Sequence, residues 1–133
     1  MNRKRLLIVD DEKLVHDVIG RALRRRIDIV HELSAEEALE HLAIELEGGA
    51  FDVVLLDVCM PGVPDGIDFF RYIQRIDAGR RPPVIFMTGD DRIASTLGGT
   101  MKTRCLAKPF SIGELREALG AFLTPVSDVP CAS

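Results

Sequence analysis

The chain has 133 residues, of which 29% are charged and 47% hydrophobic, and it carries a net charge of -4. That length suits one domain burying roughly two thirds of its unfolded surface, and the apolar content excludes a disordered chain. No apolar stretch approaches the roughly 20 residues that cross a bilayer, and the acidic balance speaks against general nucleic-acid binding.

Residues 1–5 are basic, but the apolar run behind them, Leu6 to Val9, is too short for a signal-peptide core. A cytoplasmic location is therefore expected. That run predicts a first strand, ending in Asp10-Asp11-Glu12. A helix is expected over about 12–25, with Leu14, Val15, Val18, Ile19, Ala22 and Leu23 as its apolar stripe. Acidic residues at its start and Arg24-Arg25-Arg26 at its end suit the helix dipole. A second strand follows over 27–31, and Ser34-Ala35-Glu36-Glu37 reads as a capping box for a helix through Ala38, Leu39, Leu42 and Leu46. Gly48-Gly49 ends that helix.

Residues 51–57 hold four consecutive aliphatics and end in Asp57. Such a run suits a strand covered on both faces, as in a parallel sheet between helices. The next loop, 59–66, contains two prolines and two glycines and precedes a stripe of Ile67, Phe69, Phe70, Ile73 and Ile76. Met60 and the two phenylalanines are expected to pack this region onto the sheet. After the connector Arg80-Arg81-Pro82-Pro83, residues 84–87 predict a fourth strand ending in Thr88-Gly89. In 90–103 Ile93, Leu97 and Met101 keep helical spacing, but Gly98-Gly99 interrupts it at about 1 kcal/mol per glycine. A short or frayed helix is expected there.

A brief fifth strand, 104–107, ends in Lys108, and Ser111 to Glu114 forms a second capping box with Phe110 and Leu115 as a hydrophobic staple. A last helix carries Leu115, Leu119, Phe122 and Leu123. Residues 1–123 thus read as the domain, and 124–133 as a tail or the start of a linker. Five strands alternating with five helices predict an α/β fold, a doubly wound parallel sheet. Cys59, Cys105 and Cys131 are odd in number and lack metal spacing, so reduced thiols are expected. His16, His31 and His41 are dispersed over separate elements and read as surface or helix-face residues. Both arginine clusters read as cations near helix ends.

Parallel strands point the same way, so Asp10-Asp11, Asp57, Thr88 and Lys108 gather at one sheet edge, where ligands of such folds bind. Three crowded carboxylates repel unless a cation joins them, and oxygen donors with vacancies for water suit Mg²⁺. With one lysine and one Mg²⁺ the formal charges cancel, leaving a site ready for an anionic group. The group that fits is a phosphoryl, because an aspartate can act as nucleophile and form an aspartyl phosphate. Asp57 would be that nucleophile and Asp10 and Asp11 would hold the metal. Lys108 would neutralise one phosphoryl oxygen and the Thr88 hydroxyl would hydrogen-bond another.

In these features the sequence resembles the response-regulator receiver domains of two-component signalling, similar to the chemotaxis-type regulators. The resemblance rests on Asp10-Asp11, Asp57 with Met60-Pro61, Asp65-Gly66, Thr88-Gly89 and Lys108-Pro109-Phe110, and it covers about residues 4–123. It implies a flavodoxin-like fold and Mg²⁺-dependent phosphorylation of Asp57 by a phosphohistidine on a sensor histidine kinase or histidine phosphotransferase. It further implies reversal by hydrolysis, and signalling through altered binding to a downstream effector, with no nucleic acid or membrane bound by this domain. It adds the Cys59 backbone carbonyl to the metal shell, with Asp11 the direct ligand and Asp10 acting mainly through water.

Three departures stand out. Cys105 occupies the position where such domains usually place an aromatic ring, three residues before the lysine. The stretch from Thr88 to Lys108 is slightly short, and the loop after Asp57 has an extra residue around Val63-Pro64. The output face over 90–106 is therefore expected to respond by backbone movement or helix ordering and not by a ring flip. Two other readings remain: a phosphorylation-independent pseudo-receiver that only binds partners, and a phosphoester hydrolase. The hydrolase would want a second carboxylate soon after the nucleophile, where this chain has Cys59. No separate substrate turnover is expected.

Overall fold

Five parallel strands form one sheet in the order β2-β1-β3-β4-β5 in a computed structural model that describes residues 3–23, 27–90 and 104–123. The strands are β1 (Lys4–Val9), β2 (Ile27–Glu32), β3 (Val53–Asp57), β4 (Val84–Thr88) and β5 (Arg104–Ala107). Among the described residues there are four helices: α1 (Lys13–Leu23), α2 (Ala35–Glu47), α3 (Gly66–Gln74) and α4 (Ile112–Leu123). The helix expected within 90–103 lies outside the described residues from position 91 onward, as do the clusters Arg24-Arg25-Arg26 and Gly98-Gly99, Cys131 and the tail 124–133.

The sheet is buried on both sides, which is why its strands read as continuous apolar runs. Alternate residues serve opposite faces. Leu7, Val9, Val54, Leu56 and Phe86 join Ala38, Leu42 and Leu46 of α2 and Phe69, Phe70 and Ile73 of α3. Leu6, Ile8, Val53, Leu55, Ile85 and Met87 join Ile19 and Leu23 of α1 and Leu115, Leu119 and Leu123 of α4. This is the doubly wound parallel sheet expected from the alternation, with the flavodoxin-like order that the resemblance implied. Met60, Phe69 and Phe70 are buried as anticipated.

Local signals set the helix ends. The Ser34 hydroxyl accepts from the Glu37 N–H, and Gly49 past the end of α2 takes φ 77°, a backbone that glycine adopts without cost. Ser111 and Glu114 complete a reciprocal box, with hydrogen bonds of 3.0 and 2.8 Å. At α3 the cap is Asp65, which accepts from the Asp68 N–H while Asp68 accepts from the Asp65 N–H.

α1 corrects the sequence reading in two ways. It begins at Lys13 with no acidic residue in its first turn, and the residues it buries are His16, Ile19 and Leu23. Leu14 is 73% exposed and Val18 39%. At 3.6 residues per turn, positions 14 and 18 lie about 160° around the helix from His16. Six apolar positions were too wide a stripe for one contact line, and the packing selected the side that carries His16.

Candidate functional site

Strand register builds the site. Val9 pairs with Leu56, so the residues that follow them, Asp10 and Asp57, leave the sheet side by side. They stand where the strand order reverses between β1 and β3, the crevice in which such sheets bind ligands. Carboxylate oxygens of Asp10, Asp11 and Asp57 lie within 4.8 Å of one another. Asp10 and Asp57 are buried, and Asp11 is exposed. Lys108 arrives from the end of β5, its backbone N–H donating to the Thr88 carbonyl at 2.8 Å.

The lysine bridges the acidic residues. Its Nζ lies 2.8 Å from Asp10 Oδ2, 2.8 Å from Glu12 Oε1 and 3.2 Å from Asp57 Oδ2. Burial alone would lower its pKa, but its hydrogen bonds and charge contacts with Asp10, Glu12 and Asp57 outweigh that and hold it above 10.5. Lys108 is therefore a fixed positive charge. Asp57 Oδ1 accepts from the Cys59 N–H at 2.9 Å, which aims the carboxylate into the crevice. The buried Thr88 hydroxyl accepts from the Asp90 N–H at 3.0 Å and lies 3.4 Å from Cys59 Sγ.

Asp10 is held at several atoms. Its N–H donates to the Glu32 carbonyl at 3.1 Å, and Oδ1 accepts from the Glu12 N–H at 2.8 Å. Burial, and secondarily repulsion from Asp57, raise its pKa above 3.8 against the pull of Lys108 and the Glu12 N–H. An acid with a raised folded-state pKa binds its proton more tightly folded than unfolded. Metal-free protein is therefore expected to lose stability as pH climbs from 3.8 through that folded value. Glu12, whose pKa Lys108 lowers, acts in the opposite sense. The Asp10 component is the difference between wild type and Asp10→Asn in urea midpoints against pH with a chelator present. Asn should flatten the descent; identical profiles would refute the assignment.

All donors of the cluster are oxygens and one side of it is open, so the arrangement fits a hard divalent cation that keeps some waters. A cleft of about 640 Å³ lies over the site, its apolar side formed by Leu14, Val15, Val18 and Phe110.

The five positions expected at one edge do meet there. Sequence reasoning missed Glu12, which contacts Lys108, and the cap at Asp65. It also missed why Gly66 is glycine: a Cβ there would stand 2.3 Å from the Asp57 carbonyl oxygen and 2.8 Å from Val58 Cα. The motif Asp65-Gly66 was the available signal. Among the histidines His16 corrects the sequence reading, while His31 and His41 are exposed as expected. His16 is buried, with Nε2 2.7 Å from the Asp10 carbonyl oxygen and Nδ1 2.8 Å from His31 Nδ1. His41 Nδ1 lies 3.2 Å from a Glu32 carboxylate oxygen. No spacing along the chain announces these pairs, since they form between helix and strand. Cys105 packs against the α2–α3 side of the core, and burial pushes its thiol pKa up, which suits an unreactive thiol. Arg81 donates from Nε to the Ile76 carbonyl just past α3, a structural use of that cation.

A five-stranded sheet of this order, with clustered aspartates at its switch point and a half-buried lysine facing them, defines a receiver-type signalling domain. The chain belongs to the response regulator receiver domain family, whose profile it matches over residues 6–120. It is thus a receiver domain of two-component signalling, in which such domains are signalling modules and not conventional enzymes. It is 32% identical over 121 residues to the transcriptional regulatory protein TcrA of Mycobacterium tuberculosis, covering 88% of this chain and 45% of TcrA. It is 33% identical over 130 residues to the response regulator protein PilR of Pseudomonas aeruginosa, covering 92% of this chain and 27% of PilR. The chain therefore spans less than half the length of these curated relatives. Among solved structures, it is similar to the receiver domain of the sensor histidine kinase PA1611 from Pseudomonas aeruginosa PAO1. That structure holds a magnesium ion in its active-site cleft, and the match is 26% identical with a TM-score of 0.69, covering 93% of this chain and 100% of that one. Among the described residues no helix is long and apolar enough to cross a membrane.

Proposed function

We propose that Asp57 is the phosphoacceptor, taking a phosphoryl group from a phosphohistidine of a sensor histidine kinase or histidine phosphotransferase. A carboxylate oxygen of Asp57 attacks phosphorus as the P–N bond of the donor breaks, and the bonding pair returns to the imidazole nitrogen. The observation that carries this reading is Asp57 itself. It is buried, aimed by the Cys59 N–H and within 4.8 Å of Asp10 and Asp11, with Lys108 3.2 Å away.

Asp11 would hold Mg²⁺ directly, joined by Asp57 and the Cys59 backbone carbonyl, with Asp10 acting mainly through water. The bound ion supplies charge neutralisation for the transferred oxygens. Lys108 would neutralise one of those oxygens and the Thr88 hydroxyl would donate to another. Hydrolysis of the aspartyl phosphate resets the domain, with no separate substrate turned over. Residues 1–123 would form the phosphorylated unit in the cytoplasm, 124–133 a tail or linker, and the output would be altered binding to an effector protein.

The test is intact mass after incubation with Mg²⁺ and acetyl phosphate. Gain of one phosphoryl group in the wild type, absent in Asp57→Asn and absent with a chelator, is expected. No adduct and no Mg²⁺ binding would replace this reading with the phosphorylation-independent pseudo-receiver. Release of product from a chromogenic phosphate ester would favour the hydrolase.

A further inference from the structure

We propose that His16, itself oriented by His31, is a positioning residue that sets the Asp10–Asp11 peptide so that the acidic residues converge on the divalent cation. The inference rests on the proposed metal site. It starts from a buried polar side chain that the phosphoacceptor chemistry does not use.

His16 is 6% exposed and projects from α1 onto the sheet. Its Nε2 is 2.7 Å from the Asp10 carbonyl oxygen. A carbonyl only accepts, so Nε2 carries the hydrogen. In the neutral ring Nδ1 is then an acceptor, and His31 Nδ1, 2.8 Å away, must donate to it. The two rings, with centroids 4.9 Å apart, thus hold complementary tautomers: hydrogen on Nε2 of His16 and on Nδ1 of His31. Every polar atom of the buried ring is satisfied, and His31 on β2 fixes its rotation.

The bond grips the chain at a decisive place. The Asp10 carbonyl belongs to the peptide joining Asp10 to Asp11. Rotation of that plane would swing both carboxylates. The Asp10 N–H is tied to Glu32, which secures the strand side only. Among the described residues no hydrogen bond or ion pair holds the exposed Asp11 carboxylate, so its aim follows from the backbone. His16 supplies the restraint on the side facing α1. It does for a carbonyl beside a metal site what outer-shell partners do for ligands, where losses of 10–100-fold in metal affinity are typical.

A pair of substitutions separates positioning from packing. The amide nitrogen of Gln reaches the Nε2 position of histidine and can still donate to the Asp10 carbonyl; that of Asn reaches only the Nδ1 position. Mg²⁺ affinity by calorimetry is expected to fall at least about tenfold in His16→Asn and to stay within about threefold of wild type in His16→Gln. His31→Ala should lie between them. Melting temperatures, measured alongside, are not expected to follow this order. Equal affinities in all variants with normal wild-type binding would overturn the positioning role alone. So would Asn and Gln losing affinity in step with stability. A wild type that neither binds Mg²⁺ nor takes a phosphoryl group would remove the functional reading beneath it. Should His16→Asn fail to fold, long-range ¹H–¹⁵N spectra of the wild-type histidines decide: an Nε2 of His16 that carries no hydrogen would refute the arrangement.

Discussion

Gly66→Ala is expected to destabilise the protein by about 1–3 kcal/mol and to slow phosphoryl incorporation by about tenfold to a hundredfold. The first residue of α3 lies against the end of β3, and a methyl group there would meet the Asp57 carbonyl oxygen at 2.3 Å and Val58 Cα at 2.8 Å. These are backbone atoms, so no side chain can swing aside. Either α3 retreats, breaking its Asp65 cap and its contact with the sheet, or the Asp57–Val58 peptide shifts. The second outcome displaces the proposed nucleophile, which is why activity should fall further than stability implies. Urea midpoints and the rate of mass gain with acetyl phosphate measure the two effects. An alanine variant with wild-type stability and rate would show that the helix start is not pinned as described.

Lys108→Met should separate metal binding from phosphoryl transfer. The substitution keeps the apolar stem and removes the charge that lies 2.8 Å from Asp10 Oδ2 and 3.2 Å from Asp57 Oδ2. Removing one partner of a buried ion pair costs about 3 kcal/mol, so metal-free protein at neutral pH should be less stable by about that amount. Acidification should recover the loss, because Asp10, already raised above its ordinary value, can then take up a proton. Mg²⁺ should recover it too, and should bind more tightly than in wild type, since the lysine and the cation compete for the same oxygens. Phosphoryl incorporation should nevertheless fall at least about tenfold, the transferred oxygens having lost their fixed cation. Weaker Mg²⁺ binding by the variant would contradict this account of the lysine.

Much of this protein was legible in one dimension. Covered parallel strands announce themselves as runs such as Val53-Val54-Leu55-Leu56, because both faces must be apolar. β5 was placed at 104–107 from four residues and the reactive position after them. The capping box at Ser111 and the glycines after α2 are local devices, decided by neighbours within one helical turn. The meeting of Asp10, Asp11, Asp57, Thr88 and Lys108 was also legible, because parallel strands deliver their carboxyl ends to one edge whatever their order.

Residues acting between elements were not legible. Which side of α1 faces the sheet depends on its rotation against β1 and β2, so Leu14 and Val18 were misplaced and His16, read as a surface or helix-face residue, is buried. The His16–His31 pair joins a helix to a strand, and only packing brings it together. The approach of α3 to β3 that demands a glycine at position 66 is a distance between two backbones, which no spacing encodes. The sequence by itself determined the strands, their common direction and the residues at their ends, because burial and period are properties of a segment. Tertiary structure alone decided helix rotation, the carboxylates the lysine bridges and the support beneath the acidic pair, because those depend on where separate segments touch.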